Sequence, residues 1–302
     1  MALSEYLVQE IALDHADGLL TRREALRKLG LLGLSVGAAT SLLTLSGSPA
    51  TAAAAKKKLK AKPTTTKRPA TTTQAAGAPV VKSIRFVGPA GELQAAMAAA
   101  AQPRGAILII HENRGLTDHF RALAARFAAS GYTALAVDLA SRAGGTAAVA
   151  DAMPAPLAQI GTADLVADTK AALGELAASA PGQKLAVIGF CFGGGMVWNL
   201  LASGEPRLAA AIPFYGPGPD QPNFAGSKNA AVLAVYAELD SRVNASRDAM
   251  GAALTKAGAI HEIKTFPGVD HAFFNDTGAR YNAVQATAAW NAVLAWLARY
   301  IG

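Results

Sequence analysis

The sequence predicts an α/β fold in which a mostly parallel sheet of eight strands is flanked by helices. From residue 80 onward, short apolar runs alternate with longer stretches of helical periodicity, the order that a parallel core sheet requires. Eight such runs without an internal repeat suit a single domain reaching residue 302. Hydrophobic residues make up 52% of the chain and charged residues 16%, ample for a buried core.

Residues 1–52 precede that domain and read differently. Residues 21–28 are Thr-Arg-Arg-Glu-Ala-Leu-Arg-Lys, an uncharged stretch over 29–45 follows, and small residues around Ala50-Thr51-Ala52 offer a cleavage site. A charged flank, a short apolar run and a small-residue site in that order resemble a twin-arginine export signal, with Arg22 and Arg23 as the pair. The plainer alternative is an amphipathic surface helix. The expected location is therefore periplasmic or extracellular. Gly33, Ser35, Gly37, Thr40 and Ser41 dilute the apolar run, which is short for a membrane span. A membrane tether is expected only if the segment stays uncleaved.

Residues 53–79 read as a linker. From Lys56 to Pro79 the chain is mainly Lys, Thr, Ala and Pro with no aromatic residue, so it has too little apolar surface to fold. The net charge of +7 originates here: residues 56–68 carry seven Lys/Arg and no acid, against seventeen and sixteen over 69–302. A basic balance confined to one segment argues against nucleic acid as a partner. The linker cations suit weak association with an anionic envelope, or simple solvation.

Residues 80–302 form the expected catalytic domain. The apolar runs place strands at 80–87, 93–98, 106–110, 133–137, 185–190, 209–214, 232–236 and 260–266. Helical periodicity places helices at 117–130, 162–178, 193–203, 244–257 and 279–300.

Gly189-Phe190-Cys191-Phe192-Gly193 joins the fifth strand to a helix and reads as a nucleophile elbow, G-x-S-x-G with sulfur in place of the hydroxyl. A strand turning sharply into a helix crowds its neighbours, and flanking glycines relieve the clash. The turn also sets the side chain at a helix N-terminus, where partial positive charge favours thiolate. The plainer alternative, a buried structural cysteine, weakens in this strand-elbow-helix context. Such an elbow requires an acid after a later strand and a histidine after the last. Asp240 and His271 stand at those places, His271 as general base and Asp240 as the group that orients it. Glu238 is the alternative acid and His111 the alternative base. His15, His119 and His261 lie in the leading segment, in a helix and at a strand start, out of the thiol's reach. Asp270 adjoins His271 and is expected to point away. Backbone N–H groups of Phe192 and Asn113 are the expected oxyanion donors.

Gly-Phe-Cys-Phe-Gly-Gly-Gly at 189–195, His-Glu-Asn-Arg-Gly at 111–115 and Asp-His-Ala-Phe-Phe-Asn-Asp at 270–276 together resemble the dienelactone hydrolases, or carboxymethylenebutenolidases. The resemblance spans 82–302. It implies an α/β-hydrolase fold, a small ester or lactone substrate and a Cys191-Asp240-His271 triad working through an acyl-enzyme. It also implies that Glu112 contacts the resting thiol and shifts when substrate binds. Tyr215, after the sixth strand, is a candidate pocket residue. Dienelactone hydrolases proper grip a substrate carboxylate with arginines, one of them four residues after the histidine. Asn275 stands there instead, and 151–169 supplies no arginine for the other clamp. Arg114, Arg142 and Arg280 are the residues that could compensate. The resemblance therefore points to a branch acting on other esters and lactones.

Three other readings compete. A thioesterase or acyltransferase would run the same acyl-enzyme chemistry on another carrier. A non-catalytic exported protein would use the scaffold for surface binding, against which the intact Cys, His and Asp argue. A redox sensor would need a second cysteine to resolve a sulfenic acid, and Cys191 is the sole one. No metal or cofactor is expected, and nothing sets an oligomeric state.

Overall fold

A computed structural model of the chain describes residues 3–46 and 79–302. The chain divides into two compact units, one carried by Pro79–Gly302 and the other within Ser4–Ala78.

In the larger unit, eight strands form one sheet in the order β1-β2-β4-β3-β5-β6-β7-β8. They are β1 (Val81–Gly88), β2 (Gly91–Ala98), β3 (Gly105–Ile110), β4 (Tyr132–Asp138), β5 (Leu185–Phe190), β6 (Leu208–Phe214), β7 (Ala231–Ala237) and β8 (His261–Phe266). β2 runs antiparallel to both neighbours, and β3 to β8 are parallel. Every residue of β3, β4, β5 and β7 is buried, because helices cover both faces of the sheet centre. The edge strands β1 and β8 are partly exposed.

Residues 3–46 form α1 (Leu3–Ala16), α2 (Arg22–Leu31) and α3 (Val36–Ser46). Ile11, Ala12, Ala25, Leu29, Ala39 and Leu43 from the three helices bury together in a small core. The Arg22-Arg23 pair opens α2, and its first turn is closed by a capping box. The Thr21 N–H donates to Glu24 Oε2 at 2.8 Å, and the Glu24 N–H donates to the Thr21 hydroxyl at 3.3 Å. The apolar stretch 29–45 is not one helix: Gly33, at φ 88°, turns the chain between α2 and α3. Among the described residues no helix is long and apolar enough to cross a membrane. The expected cleavage site at Ala50–Ala52 and the linker up to residue 78 lie outside the described residues.

Five long helices belong to the sheet domain: α4 (Asp118–Ala129), α5 (Thr162–Ser179), α6 (Phe192–Ala202), α7 (Arg247–Ala257) and α8 (Ala283–Tyr300). Two boundaries differ from the sequence expectation. The helix expected over 244–257 is two helices, Ser241–Asn244 and α7, because the Asp240 carboxylate caps the first by accepting the Val243 N–H at 3.2 Å. α8 begins at Ala283 because the Asn282 side chain accepts the Gln285 N–H at 3.0 Å. Between β4 and α5, where no hydrophobic period is present to read, short helices occupy Thr146–Val149 and Ala155–Gln159.

Candidate active site

β5 ends at Phe190 and α6 begins at Phe192, so Cys191 alone makes the turn, at φ 57° and ψ −117°. The glycines around it are demanded by contact. A Cβ on Gly189 would strike the Gly193 carbonyl oxygen, and one on Gly193 would strike the carbonyl oxygens of Ile110 and His111. The Cys191 N–H donates to the Phe214 carbonyl at 3.0 Å, tying the turn to the end of β6. Phe192 opens α6, so its N–H is one of those that helix geometry leaves without an intrahelical acceptor. Cys191, Tyr215 and Ala272 are the non-glycine residues of positive φ among those described. All three lie on loops at the carboxyl ends of β5, β6 and β8, the edge where open α/β sheets gather their sites. Among the non-glycine residues described, left-handed backbone is thus concentrated at one edge of the sheet.

His271 follows β8 and Asp240 follows β7. His271 Nδ1 lies 2.6 Å from Asp240 Oδ2, and both side chains are buried. A ring nitrogen of His271 also lies within 4.8 Å of Cys191 Sγ. Burial pushes the Asp240 carboxyl up. The charge and hydrogen bond of His271, the Arg242 guanidinium and the Val243 N–H outweigh it and hold the group below the usual carboxylate range.

The alternatives are committed elsewhere. Glu238 is exposed and accepts the Gly268 N–H at 2.7 Å, which pins the loop after β8 rather than the imidazole. Asp270 is exposed and accepts the backbone N–H of His271 at 2.7 Å. His111 is fully buried, and both of its ring nitrogens are used. Its Nε2 receives the Leu139 N–H at 3.1 Å; an N–H can only donate, so the ring proton sits on Nδ1 and goes to the Glu112 carbonyl at 2.7 Å. Burial pulls its imidazole below the ordinary range despite the neighbouring Asp138 carboxylate.

The remaining candidates line the same edge. Glu112 accepts from the Tyr215 hydroxyl at 3.2 Å and from the Asn275 amide at 2.7 Å. Asn275 therefore spends one of its two amide protons on a protein carboxylate. The Tyr215 ring meets that of His271 edge to face, with centroids 5.0 Å apart. Asn113 lies in the turn closed by the bond from Gly115 N–H to the Glu112 carbonyl at 3.1 Å, which leaves its own N–H outside the turn's bonding. Arg114 is exposed. Arg142 is engaged within the protein: its guanidinium holds Asp168 at 2.7 Å and 3.0 Å and Asp164 at 3.3 Å.

Sequence reasoning missed one cluster. Asp138, at the end of β4, accepts the Thr146 N–H at 2.6 Å and the Thr146 hydroxyl at 2.8 Å, and that hydroxyl accepts the Leu116 N–H at 2.8 Å. An aspartate at a strand's carboxyl end was the only signal, and its partner stands eight residues on in an irregular segment.

Comparison with known proteins places this geometry in a family. A model described as "Dienelactone hydrolase family" matches residues 93–301. A protein of Escherichia coli O157:H7 named "Putative carboxymethylenebutenolidase" is 33% identical over 66% of this chain and 79% of its own length. A namesake from Saccharolobus solfataricus is 28% identical over 72% of this chain and 98% of its own. The crystal structure of a "Putative Dienelactone Hydrolase" from Klebsiella pneumoniae subsp. pneumoniae superposes with a TM-score of 0.64 at 29% identity, covering 74% of this chain and all of that one. The eight-stranded sheet, the elbow on β5 and these matches agree: the chain belongs to the dienelactone hydrolase family, hydrolases built on the α/β-hydrolase fold.

Proposed function

We propose that the chain is an exported hydrolase of small esters or lactones that works through Cys191, His271 and Asp240. The observation that carries the reading is the buried 2.6 Å bond between His271 Nδ1 and Asp240 Oδ2, with a His271 nitrogen within 4.8 Å of a cysteine held at a strained elbow. Because Nδ1 engages the carboxylate, Nε2 is the nitrogen that takes the thiol proton. The thiolate attacks the ester carbon, a C–S bond forms, and the carbonyl π pair moves to oxygen. The N–H groups of Phe192 and Asn113 meet that oxyanion. When it collapses, the bond to the alkoxide oxygen breaks, and the imidazolium protonates the leaving group. In a lactone the leaving alcohol stays attached to the acyl chain. Water then gives a proton to Nε2 and attacks the thioester; the C–S bond breaks and the thiolate leaves paired with the imidazolium. Asp240 holds the tautomer throughout and stabilises the imidazolium. Glu112, steadied by Tyr215 and Asn275, is placed in this reading as the carboxylate that governs the resting thiol.

The test is an ester and lactone panel on wild type and Cys191→Ala, with mass spectrometry for a thioester on Cys191. Hydrolysis that survives the substitution, or survives full alkylation by iodoacetamide, overturns the assignment.

Export is the second part of the proposal. Its supports are the exposed Arg22-Arg23 pair, the apolar run after it and the small residues near Ala52. N-terminal sequencing of protein recovered from outside the cytoplasm should find a start near residue 50. Recovery only from cytosol, with Met1 or Ala2 at the start, refutes it.

A further inference from the structure

The turn that carries Asn113 is fastened at both ends to the chain following β4. At its start, the His111 ring bridges the Glu112 carbonyl and the Leu139 N–H, at 2.7 Å and 3.1 Å. At its end, the Leu116 N–H donates to the Thr146 hydroxyl at 2.8 Å. That hydroxyl has one proton, and it goes to Asp138 Oδ1 at 2.8 Å, so its acceptor role toward Leu116 is fixed. The Asp138 carboxylate is held in turn by the Thr146 N–H at 2.6 Å and the Ala140 N–H at 3.0 Å. Leu116, Asp138 and Thr146 are all buried, so water does not replace these bonds. The fit is steric as well: Gly115 sits at φ 84°, and a Cβ there would collide with the Thr146 side chain.

The geometry points to Thr146 as a positioning residue for hydrolysis, one that sets the height of the 112–116 turn and with it the oxyanion donor at Asn113. This rests on the oxyanion reading given above. A donor displaced by a fraction of an ångström from the developing negative charge forfeits stabilisation that matters in the transition state and little in the bound ester. The signature of the role is therefore a fall in kcat at constant KM.

Thr146→Val keeps the shape of the side chain and removes both hydroxyl bonds; Thr146→Ser keeps the hydroxyl. In the full-length protein, Thr146→Val should lower kcat about 10- to 100-fold with KM within about twofold, and should slow formation of the Cys191 thioester equally. Thr146→Ser should restore most of the rate. Asp138→Asn, which weakens the hold on Thr146 while leaving Leu116 its hydroxyl acceptor, should shift kcat in the same direction and carries the test if Thr146→Val folds poorly. A folded Thr146→Val or Asp138→Asn that forms the thioester at the wild-type rate overturns the role of Thr146 and leaves the triad intact. A wild type that forms no thioester overturns both.

Discussion

At the scale of single residues, the two buried histidines divide the work by what their nitrogens touch. His271 has a carboxylate on Nδ1 and the thiol near its ring, whereas His111 spends both nitrogens on backbone groups. His271→Ala should therefore lower kcat about 10²- to 10⁴-fold with little change in circular dichroism. Asp240→Asn should fall in a similar range, since the carboxylate that fixes the tautomer is lost, while Glu238→Gln should stay within about twofold of wild type. A dead Glu238→Gln beside an active Asp240→Asn would reverse the assignment of the acid. His111 leaves its mark on stability instead. Burial holds its folded value below the ordinary 6.5, so as pH falls the unfolded chain binds its proton first. The stability it contributes is complete above that ordinary value and is lost as pH falls through the depressed one. Asp240, also depressed when folded, adds a loss at more acidic pH, below the usual carboxylate range. Between about pH 7 and pH 5, wild type should lose more of its melting temperature than His111→Gln does. Equal slopes would show that His111 does not titrate with unfolding.

Elements explain what the sequence made legible and what it hid. The elbow was readable because its glycines answer a local clash that spacing alone encodes, and Gly193 is the sharper case. A Cβ there meets backbone carbonyls of β3's exit, which cannot swing aside. Gly193→Ala should cost about 3 kcal/mol in urea unfolding, against little for a change on the exposed face of α4. The core strands were readable for the same kind of reason, since burial on both faces leaves continuous apolar runs in β3, β4, β5 and β7. The segment between β4 and α5 was not. It is held by paired polar groups, Asp138 with Thr146 and Arg142 with Asp168, and such pairs leave no period to read. Asp168 is almost wholly buried, with 1% of its side chain exposed, while Arg142 remains partly open to water at 21%. Arg142→Ala should therefore destabilise the fold by roughly 2 to 4 kcal/mol, discounted for that exposure, and leave the KM for a neutral ester unchanged. A raised KM at unchanged stability would make Arg142 a substrate contact after all.

At the scale of the whole molecule, the sheet domain, the leading helices and the basic stretch of sequence between them obey different rules. The sheet domain begins at Pro79 and contains the full β1-to-β8 order, so every strand that delivers Cys191, Asp240 or His271 lies within it. The three leading helices have a core of their own, which the sequence concealed because a short apolar run divided by Gly33 reads as one stretch. In the sequence between the leading helices and the sheet domain, residues 56–68 offer seven Lys/Arg in a stretch whose composition gives it no core to bury. Trypsin cleaves after five of these residues, sparing Lys62 and Arg68, which precede prolines, and folded domains resist it because their backbone is not accessible in an extended form. Limited digestion should therefore cut first within 56–68 and leave a stable fragment starting at Arg68 and running to Gly302. That fragment contains Cys191, Asp240 and His271, so on the proposed mechanism its kcat on the best ester should match the intact chain within about threefold, its melting temperature nearly unchanged. Time courses read by mass spectrometry and by activity decide it. First cuts inside the sheet domain, or loss of activity in step with release of the leading segment, would mean that Pro79–Gly302 does not fold and act alone.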